Sequence, residues 1–323
     1  MEERKVVIQA EHIKKYFPMK GVFGKTSEAV HAVDDVSLTV YEGETVGLVG
    51  ETGCGKSTLG RTILQLTDPT EGTIRLQGED ITHYSEHRLR KIRQRMQIVF
   101  QDPYSSLNPR MTIGHALEEV LVIQKFKGNR REKAEDVLRQ VGLSEAVYHR
   151  YPHEFSGGQR QRVGIARALI QDPVFLVCDE PVSALDVSVQ AQIVNLLKKI
   201  QRERNLANVF ISHDINVVRY ISDRIVVMYL GHVMEEADKE ELMQNPLHPY
   251  TKSLLSAVPN MDPRDRRKTI PLQGEIPSPI HPPAGCVFHT RCPYATEQCR
   301  TERPELRDCG KGHRVRCHFE KIG

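Results

Sequence analysis

The sequence predicts an α/β fold, a mainly parallel sheet wrapped by helices, and three observations carry that expectation. The apolar run at 45–49 feeds a glycine-rich loop and then helix-forming residues. Two more apolar runs, 174–179 and 208–214, are separated by the helical pattern of 189–203. Beyond about residue 258 the texture changes: seven prolines fall between Pro259 and Pro283, and no long helical period follows. Strands alternating with helices imply parallel pairing, because a parallel connection needs a crossover that a helix supplies. The proline-rich stretch reads as a linker, so a large domain over 1–260 and a small cysteine-rich one over 261–323 are expected.

Taken in order, residues 30–40 alternate apolar and polar, Glu42-Gly43 makes a turn, and 45–49 is a buried strand. The run at 96–100 is another strand, ending at Gln101 before the turn-rich stretch 102–110. Helical periods follow at about 112–126 and 130–142, the second with Ala134, Val137, Leu138 and Val141 on one face. Ser156 is a natural N-cap for a helix whose apolar positions are Val163, Ile165, Ala166, Leu169 and Ile170.

Composition excludes several classes. A chain of 323 residues with 39% hydrophobic and 27% charged residues has material for a real core. Lys and Arg outnumber Asp and Glu by only 45 to 42, a net charge of +3, which argues against a strong nucleic-acid or lipid field. The amino terminus lacks a secretory apolar run, and no stretch approaches the roughly 20 apolar residues of a membrane span, so a cytoplasmic chain is expected. Of seven cysteines, Cys286, Cys292, Cys299, Cys309 and Cys317 crowd the last forty residues. A reducing compartment argues against disulfides there, which leaves metal ligation or free buried thiols.

Gly50, Glu51, Thr52, Gly53, Cys54, Gly55, Lys56 and Ser57 fit G-x-x-x-x-G-K-[ST] between a strand and a helix, the context the motif needs. Glycines let backbone N–H groups wrap phosphate oxygens, and the helix N-terminus adds partial positive charge. Lys56 would reach the β- and γ-phosphates and the Ser57 hydroxyl would bind Mg²⁺, with Thr58 next on the helix. Cys54 needs no thiol chemistry. The run at 174–179 delivers Asp179 to a sheet edge, where its carboxylate can help hold Mg²⁺ and water, and Glu180 follows, placed to polarise a water for attack on the γ-phosphate.

Between these halves stand Phe155, Ser156, Gly157, Gly158, Gln159 and Arg160, which resemble the signature loop of the ABC (ATP-binding cassette) family. In the family's order, Gln101 resembles the Q-loop glutamine, and Ser183, Ala184, Leu185 and Asp186 resemble the D-loop. His213 resembles the switch histidine, Tyr16 the aromatic that stacks on adenine, and Glu180 the residue after the Walker B aspartate. Individually Gln101, His213 and Tyr16 have ordinary structural readings, and either Tyr16 or the adjacent Phe17 could simply be a core ring. The resemblance covers about residues 6–255. It implies a P-loop NTPase parallel sheet core with an antiparallel β subdomain and an α-helical subdomain at about 102–170, plus the small Cys-rich carboxyl-terminal domain. It further implies ATP and Mg²⁺ as cofactors, with the metal held through Ser57, Gln101 and Asp179, and Glu180 and His213 as catalytic residues. Ser156, Gly157, Gly158 and Gln159 would then cover the ATP of a partner cassette.

Three stretches resemble the oligopeptide/dipeptide (and nickel) importer ATPases: 101–110, 245–259 and the cysteine-rich tail. The lead-in at 30–38 and the loop at 50–58 look like that family's F-type subunit. The resemblance implies a D-type cassette partner, two transmembrane permease subunits, an indirect link to an extracellular substrate-binding protein, no nucleic acid, and a peripheral place on the cytoplasmic face of the membrane. The transported solute is not encoded here. In the tail, Cys286, Cys292, Cys299 and Cys317 match a region that ligates a [4Fe–4S] cluster in some members, with zinc as the alternative. His289, His313 and His318 are substitute ligands. A soluble ABC ATPase acting on nucleic acid or ribosomes is the competing class, and a P-loop kinase is disfavoured because it needs no signature loop.

Overall fold

A computed structural model describes residues 4–19, 28–102, 107–257, 270 and 272–319. In chain order the elements are β1 (Val6–Pro18), β2 (Ala29–Tyr41), β3 (Thr45–Val49), α1 (Lys56–Ile63), β4 (Glu71–Leu76), β5 (Glu79–Asp80), α2 (Glu86–Arg95) and β6 (Met96–Val99). They continue with α3 (Ile113–Ile123), α4 (Arg130–Gln140), α5 (Gly157–Leu169), β7 (Phe175–Asp179), α6 (Val187–Arg204), β8 (Ala207–Ile211), α7 (Ile215–Ile221), β9 (Arg224–Tyr229) and β10 (His232–Asp238). The last are α8 (Lys239–Gln244), α9 (Pro249–Ser256), α10 (Glu297–Thr301), β11 (Arg307–Asp308) and β12 (Arg314–Val315). The expected boundary at 260/261 and part of the expected turn stretch, 103–106, lie outside the described residues.

The chain folds as two compact units. Unit one gathers residues 1–8, 39–45 and 75–211. Its strands run in the order β8-β7-β6, all parallel, with Asp179 opposite Ile211 and Cys178 opposite Val99. β7 and β8 are buried along their whole length, as expected of strands covered on both faces. Helices α3, α4 and α5 pack on one another in this unit. Thr112 and Asn129 cap α3 and α4 by accepting from His115 N and Glu132 N, which fixes where each helix starts.

Unit two gathers residues 9–38, 46–74 and 212–323. Here β3 pairs parallel with β9, Val49 opposite Val227, and the sheet continues through β10 and β12 to β11 in antiparallel pairings. A bulge between Val233 and Glu235 interrupts β10. The extra residue is used: Arg316 N donates to Met234 O at 2.8 Å and Arg316 Nε to Val233 O at 3.0 Å, so the tail is stitched to the bulge. A second sheet has the order β2-β1-β4-β5, in which β4 and β5 pair antiparallel with Leu76 opposite Glu79. β1 and α2 carry no sequence signal read above; β1 alternates poorly because Lys14, Lys15 and Tyr16 interrupt its apolar positions.

Candidate functional site

In unit two, β3 ends at Val49 and α1 begins at Lys56, so residues 50–55 form the loop between them. Gly50 (φ 151°) and Gly55 (φ 102°) are obligatory: a Cβ on either would stand 2.1 Å from a carbonyl oxygen, of Met228 and of Ala32 respectively. Gly55 is the N-cap position of α1 and no side chain caps the helix. That leaves the positive helix end for an anion. Lys56 is buried and curls back over the loop, its Nζ donating to Gly50 O at 2.7 Å and Glu51 O at 3.0 Å. Burial raises the Cys54 thiol above its ordinary value, so it packs as a small neutral side chain. Thr52 and Gly53 are exposed, Ser57 and Thr58 half-buried.

His213 is exposed and held in position by its neighbours. Asp214 caps α7 by accepting from Asn216 N at 2.8 Å, and Ser212 N donates to Leu48 O at 3.3 Å. A cleft of about 530 Å³ brings His213 together with Gly50, Glu51, Thr52 and Asn216. Tyr16, on β1, stacks on His31 with centroids 4.2 Å apart and donates its hydroxyl to Asp34 at 2.6 Å.

Unit one holds the other candidates. Asp179 closes β7 and is 4% exposed. Glu180 sits at φ 48°, a left-handed conformation that costs a non-glycine residue about 1–3 kcal/mol and that collects at active sites. Its N–H donates to Ile211 O at 3.0 Å, and its Oε2 accepts from Gln101 Nε2 at 3.2 Å. Residues 79 positions apart are thus joined at the two predicted catalytic-loop ends. The Ser183 hydroxyl donates to Glu180 O at 3.1 Å, which ties Ser183, Ala184 and Leu185 to the same corner, and Asp186 is the N-cap position of α6. Ser156 caps α5, accepting from Gln159 N at 3.4 Å while Gln159 Oε1 accepts from Ser156 N at 3.1 Å. Ser156, Gly157 and Gln159 are all exposed.

Several residues around the phosphate loop carry no sequence-level signal. Glu51 N donates to the Tyr250 hydroxyl at 2.9 Å, and the Glu51 carboxylate is held by Arg291 through a two-bond contact at 2.6 and 3.1 Å. Asp34 accepts from Arg303 at 3.2 Å as well as from Tyr16. Burial works to raise the Asp34 carboxyl, but the Tyr16 hydroxyl, His232 and Arg303 together hold it below its ordinary value.

The tail differs from the expected metal centre. Among the described residues no group of three or more His, Cys, Asp or Glu is placed to hold a metal ion, so Cys286, Cys292, Cys299 and Cys317 receive neither a cluster nor zinc from the geometry. Cys286 and Cys299 are buried and Cys292 and Cys317 half-buried. His289, His313 and His318 are engaged otherwise, with Cys286 O, Glu235 and Glu302 O. What anchors the tail is packing and ion pairing. Phe288 is 1% exposed and meets Tyr229 edge-on at 5.2 Å and Tyr250 at 5.4 Å, contacts worth about 0.5–1.5 kcal/mol per pair beyond their burial. Arg224 and Arg314 both pair with buried Glu236.

Residues 33–183 match the ABC transporter family, and residues 234–299 match the oligopeptide/dipeptide transporter C-terminal region. The oligopeptide transport ATP-binding protein AppF of Bacillus subtilis (strain 168) is 52% identical over 98% of both chains. This chain belongs to the ABC transporter ATP-binding proteins. Its likeness to the oligopeptide transport ATP-binding protein OppF of Salmonella typhimurium is 50% identity over 98% of this chain and 97% of that one. A dimeric ATP-binding cassette solved in a post-hydrolysis state with ADP and Pi is 34% identical, with a TM-score of 0.64 over 72% of this chain and 98% of that one. The mixed α/β architecture expected from the sequence is therefore the cassette fold, and the protein is an ABC ATPase. The competing expectation of a nucleic-acid or ribosome ATPase finds no support among these relatives. Among the described residues no helix of this ABC protein is long and apolar enough to cross a membrane.

Proposed function

We propose that this ABC ATPase powers a membrane importer for di- or oligopeptides, working peripherally on the cytoplasmic face with a D-type cassette, two permease chains and, indirectly, an extracellular binding protein. The observation that carries the reading is likeness to AppF and OppF along essentially the whole chain, tail included. The large domain over 1–260 and the Cys-rich domain over 261–323 belong to the same proposal.

In this reading residues 50–58 bind the ATP phosphates and Tyr16 meets the adenine. Ser57, Gln101 and Asp179 each carry a side-chain oxygen, the donor chemistry that Mg²⁺ takes; these residues would hold the ion, which when bound would neutralise developing phosphate charge. Glu180 polarises a water for in-line attack on the γ-phosphate, giving ADP and phosphate, and the Gln101 contact holds its carboxylate. His213 completes the γ-phosphate end. Ser156 and the glycines beside it, exposed on one cassette, cover ATP on the other, so ATP closes the cassette dimer and hydrolysis releases it.

Replacing Glu180 by Gln is expected to lower hydrolysis on the order of 10²–10⁴-fold while ATP binding persists and a cassette dimer accumulates on size exclusion. Hydrolysis at the wild-type rate would refute the assignment. Purification from membranes is expected to bring down two permease chains and a second cassette, and peptide uptake in cells is expected to stop with E180Q.

A further inference from the structure

Two arginines of the carboxyl-terminal segment end on the two parts of the candidate nucleotide site. Arg291, whose side chain is 5% exposed, makes its paired contact with Glu51 across 240 residues of sequence. Glu51 is the second residue of the phosphate loop, and it is held at three points: its N–H by Tyr250, its carboxylate by Arg291, and its carbonyl by Lys56 itself. A buried two-bond arginine–carboxylate contact fixes a side chain in distance and in plane. Arg303 reaches Asp34, whose other oxygen receives the Tyr16 hydroxyl.

We infer that Arg291 and Arg303 are positioning residues for the nucleotide: Arg291 sets the phosphate loop through Glu51, and Arg303 sets the Tyr16 ring through Asp34. The inference rests on the reading of residues 50–57 and Tyr16 as the ATP site. It makes the tail part of the nucleotide-binding apparatus, not an appendage. Its physical content is preorganisation: a loop already held in its binding geometry loses less entropy when phosphate arrives.

The test uses the full chain, equilibrium titration with ATP and with inorganic triphosphate, and thermal unfolding. R291Q and E51Q are each expected to weaken both ligands between about tenfold and 100-fold, and the double variant to be no weaker than the worse single one. R303Q is expected to weaken ATP and leave triphosphate unchanged. R307Q removes ties inside the tail, to Cys317 O and Phe319 O, without touching either node, and is expected to lower the unfolding midpoint at unchanged ATP affinity. Equal loss of affinity in R307Q and R291Q, or additive effects of R291Q and E51Q, would overturn the inference. E51Q leaves Arg291 buried without its partner, so if that variant does not fold, R291Q against R307Q decides. K56A separates the two readings: ATP binding that survives K56A sinks the site itself, whereas binding that needs Lys56 and ignores Arg291 sinks only the positioning role.

Discussion

The loop at 50–55 and the loop that ends at Ser156 each deliver a glycine-rich helix N-terminus, yet they are built in opposite ways. At the first, no side chain caps α1, Gly50 and Gly55 are locked by nearby carbonyls, and the loop is gripped by buried residues from distant sequence. At the second, Ser156 and Gln159 cap α5 reciprocally, and the residues stand in solvent. An uncapped, gripped end suits a chain's own anionic ligand, since the helix charge is left for it and the geometry is set beforehand. A self-capped, exposed end folds without a ligand and suits a surface completed by a partner.

The largest test of that contrast is Lys56→Ala. ATP affinity is expected to fall at least about 100-fold by titration, because a charge-assisted contact to phosphate is lost, while Ser156→Ala leaves the affinity of the isolated chain unchanged. Equal losses would erase the distinction. A matched glycine pair comes next. Gly55→Ala puts a methyl 2.1 Å from Ala32 O at φ 102° and is expected to cost more than about 2 kcal/mol of stability in denaturant unfolding. Gly157→Ala meets only Leu185 Cδ2 at 3.2 Å, the end of a flexible side chain, and is expected to stay within about 0.5 kcal/mol. Ser156→Ala should then cost about 1 kcal/mol as a lost cap and reduce turnover of the assembled dimer without changing ATP binding.

The same contrast explains what could be read in advance. The loops announce themselves because glycine, lysine and serine at fixed spacing are demanded by local backbone geometry, and the strand–loop–helix order around Gly50 and Lys56 follows from local period. The grip does not announce itself. Glu51 meets Arg291 and Tyr250 over separations of 240 and 199 residues, and Glu235 meets His313 over 78, pairings made by tertiary packing that leave no period in the sequence. The cysteines are a different case: their spacing suggests ligands, and the structure adds that Cys286 and Cys299 are buried, without a group placed to hold a metal among the described residues.

Acidity gives the gentlest test, because the gripped region carries a buried ionisable anchor. Glu235 is fully buried and accepts from Leu247 N at 2.6 Å and His248 N at 3.0 Å, setting the turn that carries Tyr250 to Glu51; His313 Nε2 lies 2.8 Å from the same carboxylate. The hydrogen bond to Glu235 raises His313 above its ordinary 6.5. A raised histidine contributes stability that is fully present below 6.5 and lost as pH climbs through the folded value. His232 and His248 act with the opposite sign: burial lowers both to about 4, so they stay neutral in the fold and remove stability as pH falls from 6.5 toward 4. Above 6.5 those two no longer titrate, and His313 is the one of the three whose contribution changes. The unfolding midpoint of the wild type is therefore expected to decline as pH rises from 6.5, and that of H313Q, which keeps a donor but no titration, to stay flatter. ATP affinity should slip over the same interval if the Glu235 anchor reaches Glu51 through Tyr250. Parallel midpoint curves for the two proteins would mean that His313 is neutral in the fold and that the anchor rests on the Leu247 and His248 amides alone.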